Sequence, residues 1–302
     1  MDQRISDFSQ AASVREVALR GGKADGVRLL EIDNGVLRFQ LNLEKGLDIY
    51  QLWHRGMNVP FLCKNGLGHA NAPFAACFEG GMLYTCGMDS LGVREGFPVH
   101  GSLHSIAPAV SLCRCDEGGV TVEADLTDSA LDGKHLVLHR RVHTDVGSDA
   151  LEVCDVLENK GYSDADYCLL YHVNLGYPFL DEGVTITSDC NRVQPRNEGY
   201  SYPISERSRF PAPVDNEAER CYFIDHKTPE VTVRNEKLKK QFLLSYSGET
   251  LPAFVQWNNN ASGDYVLGLE PATTYLDDLF RYSVIRPAEK IGFSVRLRIS
   301  DL

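Results

Sequence analysis

The 302-residue chain lacks the long apolar run that a membrane-spanning helix requires. No stretch approaches about 18 consecutive apolar residues. The opening residues, MDQRISDFSQAASV, are acidic and polar where a secretory signal peptide has an apolar centre. We therefore expect a soluble protein of the cytoplasm with no membrane partner.

Clustered positive charge is also missing. The sequence has 30 Lys and Arg against 42 Asp and Glu, a formal net charge of -12, and its basic residues are scattered. Proteins that neutralise nucleic-acid phosphates concentrate Lys and Arg on one surface. We expect no nucleic-acid partner, and a homodimer remains an open expectation.

Paired cysteines are absent as well. The chain has an odd number of cysteines, none in a C-x-x-C pair, and most lie in apolar or strand-like stretches, where a free thiol packs as a small hydrophobe. This pattern argues against a disulfide framework or a zinc ribbon. The nine are Cys63, Cys77, Cys86, Cys113, Cys115, Cys154, Cys168, Cys190 and Cys221.

The usual signatures of cofactor and nucleophile chemistry do not occur. There is no G-x-S-x-G, P-loop or H-E-x-x-H motif, and no G-x-G-x-x-G that opens a helix. We expect neither a cofactor nor a metal. Acid/base chemistry, which needs only proton donors and acceptors, fits what remains.

Short strand patterns fill the chain instead. Alternating or β-branched runs begin near residues 27, 36, 47, 120, 135, 150, 166, 184, 220, 230, 241, 253, 264 and 292, and turn signals such as DNG and LDGK separate them. Without βαβ alternation, this predicts an all-β, antiparallel sandwich forming one domain over 1–302. Helices should be few and short, the best candidate being a capped turn at SDFSQAA from Ser6.

Two segments do not resemble strands, 60–109 and 190–219. Both are rich in Gly, Pro or polar residues. Loops of this length in a compact domain are more often functional than idle.

A histidine interrupts the apolar run LLYHVNLGYPFL. Period-2 alternation puts His172 on one strand face with Asn174, and Tyr171 and Val173 on the other. A core histidine satisfied by a backbone carbonyl is the commoner arrangement. The polar neighbour Asn174 and the strand-ending Gly176 nevertheless suggest a site near the exposed end of the strand.

Glu270 has a similar setting, since it follows the apolar run YVLGL and precedes Pro271. A partly buried carboxylate can have a raised pKa and act as a general base near neutral pH. The alternative is a carboxylate held by backbone amides or an arginine. Trp257 offers a flat face for stacking a sugar, although a core tryptophan is equally compatible.

Two histidine repeats allow different interpretations. His100 and His104, in PVHGSLHSIAP, are four apart, but the nearby Gly and Pro disfavour the helix that would make them a metal pair. His100 before Gly101 instead suggests a side chain presented at a tight turn. His135, His139 and His143 alternate along a strand pattern with Arg141 and are expected on a solvated outer face.

These blocks resemble the galactose mutarotase-like superfamily, in particular its aldose 1-epimerase-like DUF4432 branch. The blocks are VHG near 100, YHVNLGYP near 172 and GLEPAT near 270, together with NLEKGLDIYQLWHRG and GGMLYTCGMDSLG, so the resemblance spans nearly the whole chain. It implies a β-supersandwich with a carbohydrate site on the concave face of one sheet. It also implies a cofactor-free sugar epimerase, an isomerase of the mutarotase type.

The resemblance implies residue roles as well. Glu270 would be the base on the anomeric hydroxyl and His172 the acid on the ring oxygen, with His100 orienting the sugar. From the residues and these blocks together, we also expect Asn174, Lys45, Asp48, His104 and Trp257 to contact the substrate. The branch usually has DRGxDI and HGR where this chain has EKGLDI and HGS, so two guanidinium groups are missing.

Other activities remain open at this point. A sandwich that binds or senses a carbohydrate without turning it over would keep the same pocket. Another acid/base isomerase, acting on a ketose or a uronate, would use the same two groups. The substrate is expected to be a free monosaccharide or a sugar acid.

Overall fold

Strands dominate the architecture. The computed structural model describes residues 3–69, 73–196 and 204–302. Within these ranges the strands, numbered in chain order, are β1 (Ser13–Ala18), β2 (Arg28–Asp33), β3 (Leu37–Asn42), β4 (Ile49–His54), β5 (Met57–Asn58), β6 (Leu83–Gly87), β7 (Ala109–Asp116), β8 (Gly119–Ser129), β9 (His135–Thr144), β10 (Ala150–Asn159), β11 (Ala165–Tyr167), β12 (Leu169–Gly176), β13 (Thr185–Thr187), β14 (Cys190–Pro195), β15 (Arg220–His226), β16 (Glu230–Asn235), β17 (Lys240–Tyr246), β18 (Ala253–Ala261), β19 (Asp264–Ala272), β20 (Ser283–Ile285) and β21 (Lys290–Asp301).

The strands form antiparallel sheets. The largest has the order β13-β16-β17-β21-β10-β9-β8-β7, and a six-stranded sheet has the order β14-β15-β18-β19-β12-β6. A five-stranded meander, β1 to β5, and the pair β11-β20 complete the set. The prediction of an antiparallel, all-β fold is confirmed.

Helical structure is short wherever it is described. The only α-helix in those ranges is α1 (Phe74–Cys77), and the 3-10 turns are Phe8–Gln10, Gly22–Ala24, Leu103–Ser105, Ile204–Ser208 and Asp277–Leu279. The predicted turn near Ser6 is confirmed, because Asp7 caps it and accepts from the Ser9 backbone N–H.

The prediction that 60–109 and 190–219 contain no strands is wrong in part. β6 lies in the first segment and β14 in the second. β6 reads LYTCG and is buried on both faces, so it has no polar alternation for a period-2 search to find. Residues 197–203 of the second segment lie outside the described ranges.

Strand β12 of the six-stranded sheet is buried on both faces. On β12, Tyr171 and Val173 point into the main core shared with the eight-stranded sheet. Leu170 points the other way, into a second apolar cluster that also contains Phe78, Val255 and Leu276. This second face carries the candidate site, and loops rather than another sheet cover it.

The remaining sequence predictions concern cysteines, the histidine repeat and membrane segments. All nine cysteines are free. His139 lies on the outer face of the eight-stranded sheet between Asp125 and Glu158, at 2.7 and 2.8 Å, as expected for the repeat on β9. Within the described ranges no helix is long and apolar enough to cross a bilayer.

Candidate active site

A histidine and a glutamate face each other across two neighbouring strands. The register that pairs Leu170 with Ala272 and Asn174 with Gly268 sets His172 of β12 opposite Glu270 of β19. His172 Nε2 lies 3.2 Å from Glu270 Oε1, and both side chains are almost fully buried. Two residues 98 positions apart therefore bring an imidazole nitrogen and a carboxyl oxygen together in the interior.

A glycine beside the pair makes room for it. A Cβ atom at Gly268 would lie 2.7 Å from Glu270 Oε1 and 3.1 Å from His172 Cε1. Any larger residue would therefore push against the carboxyl group. The glycine in YVLGLE is a feature of the site rather than of a turn.

His100 comes to the pair from the loop between β6 and β7. Its backbone has φ 61°, and the following Gly101 approaches the Gly87 carbonyl so closely that a Cβ there would lie 2.3 Å from the oxygen. The sequence-based expectation of a side chain presented at a tight turn is therefore confirmed. The His100 and His172 rings meet edge to face, with centroids 6.0 Å apart.

One hydrogen bond indicates which nitrogen of His100 is free to donate. The Gly92 backbone N–H donates to His100 Nδ1 at 3.4 Å. A neutral ring that accepts at Nδ1 carries its proton on Nε2. Burial lowers the pKa of His100 to about 4, so the ring is neutral at pH 7 and can donate from Nε2.

These groups line a cavity of about 440 Å³ on the second face of the six-stranded sheet. This size lies within the usual range for small-molecule sites. The Trp257 ring meets His172 edge to face at 5.4 Å, and its indole N–H donates to Glu219 Oε2 at 2.8 Å. The cavity therefore combines an aromatic wall with polar groups at its rim.

Burial controls the charge of the pair. It raises the pKa of Glu270 to about 8, because a carboxylate loses its hydration there. It lowers the pKa of His172 well below the ordinary value, and the nearby His100 lowers it further. Hydrogen bonding by Asn174 opposes this decrease. At neutral pH both groups are therefore neutral, Glu270 as a carboxylic acid and His172 as an imidazole.

Three residues expected to contact the substrate lie elsewhere. Lys45, Asp48 and His104 are not among the described residues that line the cavity. Lys45 Nζ pairs with Glu79 Oε2 at 2.9 Å in the interior, and Asp48 accepts from Thr85 and Arg140. They were selected because of the EKGLDI block and the histidine spacing, and neither pattern reports which face of a strand or turn meets the cavity.

The surroundings of His104, and of Asn174 as a fourth such residue, show why neither reaches the cavity. His104 is buried and stacks on Tyr84, with ring centroids 4.9 Å apart, so it does not form a ligand pair with His100. Asn174 is fully buried, and its amide donates to the Gly81 and His172 carbonyls at 3.0 and 3.1 Å. Its contacts are with the protein.

The position of the pair along its strands also differs from expectation. We predicted that His172 and Glu270 sit at strand ends, but His172 lies in the middle of β12, and β19 continues through Pro271 to Ala272. The cavity opens on a sheet face. This is possible because loops, not a second sheet, cover that face.

Sequence reasoning missed several lining residues. Arg196 and Glu219 come from the 190–219 segment, which was marked as functional without naming them. Asn259 alternates with Trp257 on β18 and could have been found from that period. Phe74 and Phe78, from α1 and the residue that follows it, gave no signal beyond their hydrophobicity.

Comparisons with known proteins agree with this architecture. A crystal structure of a candidate aldose 1-epimerase from Klebsiella pneumoniae superimposes with a TM-score of 0.83 at 20% identity, covering 95% of this chain and 83% of that one. A galactose mutarotase-like protein from Clostridium acetobutylicum gives 0.71 at 14% identity, covering 97% of this chain and 100% of that one. A candidate aldose 1-epimerase from Escherichia coli K12 gives 0.66 at 11%, covering 96% and 100%.

At these identities the superpositions establish the fold, which is the galactose mutarotase-like sandwich. No curated protein matches the chain. The model of one family, described as a domain of unknown function (DUF4432), matches residues 24–279. Because the match covers most of the chain, the protein belongs to the DUF4432 family, and its fold is that of the galactose mutarotases.

Proposed function

We propose that this protein is a cofactor-free sugar epimerase of the mutarotase type, which interconverts the anomers of a free monosaccharide. The observation that carries the proposal is the His172–Glu270 pair, buried at 3.2 Å and facing a cavity of monosaccharide scale. The fold relationship to galactose mutarotase-like proteins supports the same reaction class.

The chemistry needs one proton donor and one acceptor close together. In a cyclic sugar the ring oxygen and the anomeric hydroxyl are bonded to the same carbon, C1. A protonated group beside the ring oxygen and an unprotonated one beside the hydroxyl open the ring, and rotation about C1–C2 followed by closure gives the other anomer. His172 and Glu270, 3.2 Å apart, supply one proton donor and one acceptor for these two oxygens.

Binding is assigned to the groups around the pair. His100 donates from Nε2 to a sugar oxygen, and Trp257 supplies an aromatic wall against which the C–H face of a sugar packs. Asn259 and Glu219 provide planar polar groups of the kind that hydrogen-bond to hydroxyls. None of these contacts requires a metal or a cofactor.

An uncharged sugar fits the cavity better than an anionic one. The cations among its described lining residues are Lys64 and Arg196, and each is already paired: Lys64 with Asp264 at 2.7 Å, and Arg196 with Asp277 through two bonds. Glu219 adds a further carboxylate. A phosphate or uronate would have to displace an ion pair and approach these acids.

Glu270→Gln tests the proposal. Anomer exchange in a panel of free monosaccharides, followed by NMR saturation transfer, should slow by about 10²- to 10⁴-fold because the variant cannot exchange a proton at this position. Glu123→Gln, on the outer face of the eight-stranded sheet, is the matched control and should exchange at the wild-type rate.

The outcome separates the rival activities. Equal exchange rates for wild type and Glu270→Gln would refute the epimerase. Thermal stabilisation by a sugar without exchange would identify a carbohydrate-binding sandwich. Turnover of a ketose or uronate with no anomer exchange of aldoses would identify the other acid/base isomerase.

A further inference from the structure

A guanidinium group in the cavity wall is held by a carboxylate that lies outside the cavity. Arg196 is the only arginine among the described residues that line the cavity, and Asp277 is not one of them. Arg196 Nε and Nη2 donate to the two carboxylate oxygens of Asp277, the second of these bonds being 2.7 Å long. Two parallel N–H bonds fix the plane of a guanidinium more firmly than a single contact does.

The turn that carries this carboxylate is anchored on both sides. Leu276 before it and Phe280 after it are buried in the second apolar cluster. The Phe280 backbone N–H donates to the Asp277 carbonyl at 3.1 Å. Asp277 has φ 57°, a left-handed conformation that Asp and Asn adopt more readily than most residues do. Its anchored backbone therefore keeps the carboxylate, and with it the Arg196 guanidinium, at one place in the wall.

The other charges of the cavity are already accounted for. Lys64 pairs with Asp264 at 2.7 Å, and Glu219 accepts from the Trp257 indole N–H. Glu219 acts on Arg196 through its charge, but the bonds from Asp277 are the first cause of the raised pKa of the guanidinium. Without Asp277, Arg196 would be the one cation among the described lining residues that has no carboxylate bound to it.

The guanidinium lies close enough to the reacting groups to contact a bound sugar. Burial raises the pKa of Glu270 to about 8, and the positive charge of Arg196 opposes this rise. Burial lowers the pKa of His100 to about 4, and His104 and Arg196 add to the decrease. Arg196 is therefore within electrostatic range of both groups, and a sugar that lies between them also lies beside the guanidinium.

We propose that Asp277 is a specificity-determining residue, which occupies the guanidinium of Arg196 and so excludes sugars that carry a carboxylate. A substrate carboxylate binds a guanidinium through the same two parallel N–H groups that Asp277 uses, so the two anions compete. An uncharged sugar does not compete, because a guanidinium has five N–H donors and a hydroxyl needs only one of them. The inference rests on the proposed function for the reaction, but the binding preference can be measured without turnover.

Asp277→Asn tests the preference with little risk to the fold, since Asn tolerates the same left-handed backbone. Calorimetry with D-galacturonate and D-glucuronate should show binding at least about tenfold tighter than in the wild type, because the guanidinium is released from its ion pair. D-Galactose and D-glucose should change by less than about threefold, because they bind without an ion pair. Absence of any gain for the hexuronates overturns the inference, whether or not the wild type binds either kind of sugar.

Two further variants show whether the gain passes through Arg196. Asp278→Asn, the matched control, removes the same charge from the exposed neighbouring position and should leave the ratio of hexuronate to hexose affinity unchanged. Adding Arg196→Met to Asp277→Asn should abolish the gain. A gain that persists in the double variant, or that equally appears in Asp278→Asn, would mean a general effect of net charge and would overturn the role of Asp277. The gain should also shrink in about 1 M NaCl, since salt screens the attraction between charges.

Anomer exchange separates this inference from the proposed function. A merely structural role for Asp277 would lower kcat/KM for hexoses and hexuronates by the same factor, whereas the specificity role raises the hexuronate-to-hexose ratio. If that binding ratio rises in Asp277→Asn but no sugar undergoes faster anomer exchange, the proposed function is wrong and the specificity role stands. If hexoses exchange but the ratio is unchanged, the specificity role is wrong and the function stands. In the wild type each hexose should bind more tightly than its hexuronate, and the opposite order would overturn the inference even if the variants do not fold.

Discussion

Tyr171 and His172 lie on opposite faces of β12, and each belongs to a buried polar group. The two groups differ in how completely they are hydrogen-bonded. Tyr171 of β12 points into the main core, where its hydroxyl donates to Asp155 at 2.7 Å. Arg140 lies fully buried in that cluster and donates to Asp155, Asp48, Thr85 and the Gly46 carbonyl. The next residue, His172, faces the cavity together with Glu270. Its Nδ1 has no hydrogen-bond partner among the described residues.

The contrast shows how buried polar groups that stabilise the fold differ from buried polar groups that are available for chemistry. The donors and acceptors of the Arg140 cluster are hydrogen-bonded to one another, so none of them is available to bind a ligand. The His172–Glu270 pair is desolvated and under-satisfied beside an open cavity, a condition that perturbs pKa values and is typical of catalytic sites. Burial alone does not distinguish the two; the state of their hydrogen bonds does.

The largest expected effect comes from breaking the satisfied cluster. Arg140→Met should lower the free energy of unfolding by about 3–5 kcal/mol, because it leaves Asp48 and Asp155 buried without their cation. Chemical denaturation would measure this loss. Arg141→Met, one residue along and on the outer face, where Arg141 pairs with Glu123 at 3.7 Å, should cost no more than about 1 kcal/mol. Equal losses in the two variants would contradict the comparison.

The second prediction uses the charge state of the cavity pair. The folded pKa of Glu270 is raised from 4.5 to about 8, so between these values the folded protein binds a proton that the unfolded chain releases. Stability contributed by this group is complete below pH 4.5 and is lost as the pH rises through 8. His172 and His100, whose pKa values are lowered, act in the opposite sense, but only on acidification below about 6.5.

Denaturation of wild type and Glu270→Gln at several pH values isolates this contribution. From pH 6 to pH 9 the wild type should lose on the order of 2 kcal/mol relative to the variant. Parallel stability curves over this range would mean that Glu270 ionises normally, and the contrast between the two buried groups would disappear.

The smallest effect concerns the space beside the pair. Gly268→Ala would place a Cβ 2.7 Å from Glu270 Oε1, so the carboxyl group must shift and anomer exchange should slow about tenfold, which corresponds to about 1.4 kcal/mol. Gly292→Ala on β21 is the control, because its Cβ would meet no described atom within 4 Å and exchange should be unchanged. Saturation transfer measures both, and identical rates would remove Gly268 from the site.

Much of the fold could be predicted, because strand period and turn chemistry are local. The alternation around His172 correctly separated the face that carries Tyr171 and Val173 from the face that carries Leu170. The runs that failed were those without alternation, such as β6, where burial on both faces erases the period. A single domain over 1–302 stays a prediction.

The site was predictable by residue type but not by grouping. His172, Glu270, His100 and Trp257 line the cavity, whereas Lys45, Asp48, His104 and Asn174 lie in the interior, although all eight came from sequence patterns or from the family resemblance. A pattern identifies a side chain that is unusual for its strand. It does not say whether that side chain lines a cavity or is paired with another residue in the interior.

The sequence by itself determined that the chain is all-β, that it carries no cofactor signature, and that a histidine and a glutamate sit within apolar strands. Only the tertiary structure decided that these two meet at 3.2 Å, with Gly268 leaving room beside them. The physical reason is that strand register joins residues far apart in the chain. A shift of one residue would turn the side chains of a strand to the opposite face and separate the pair.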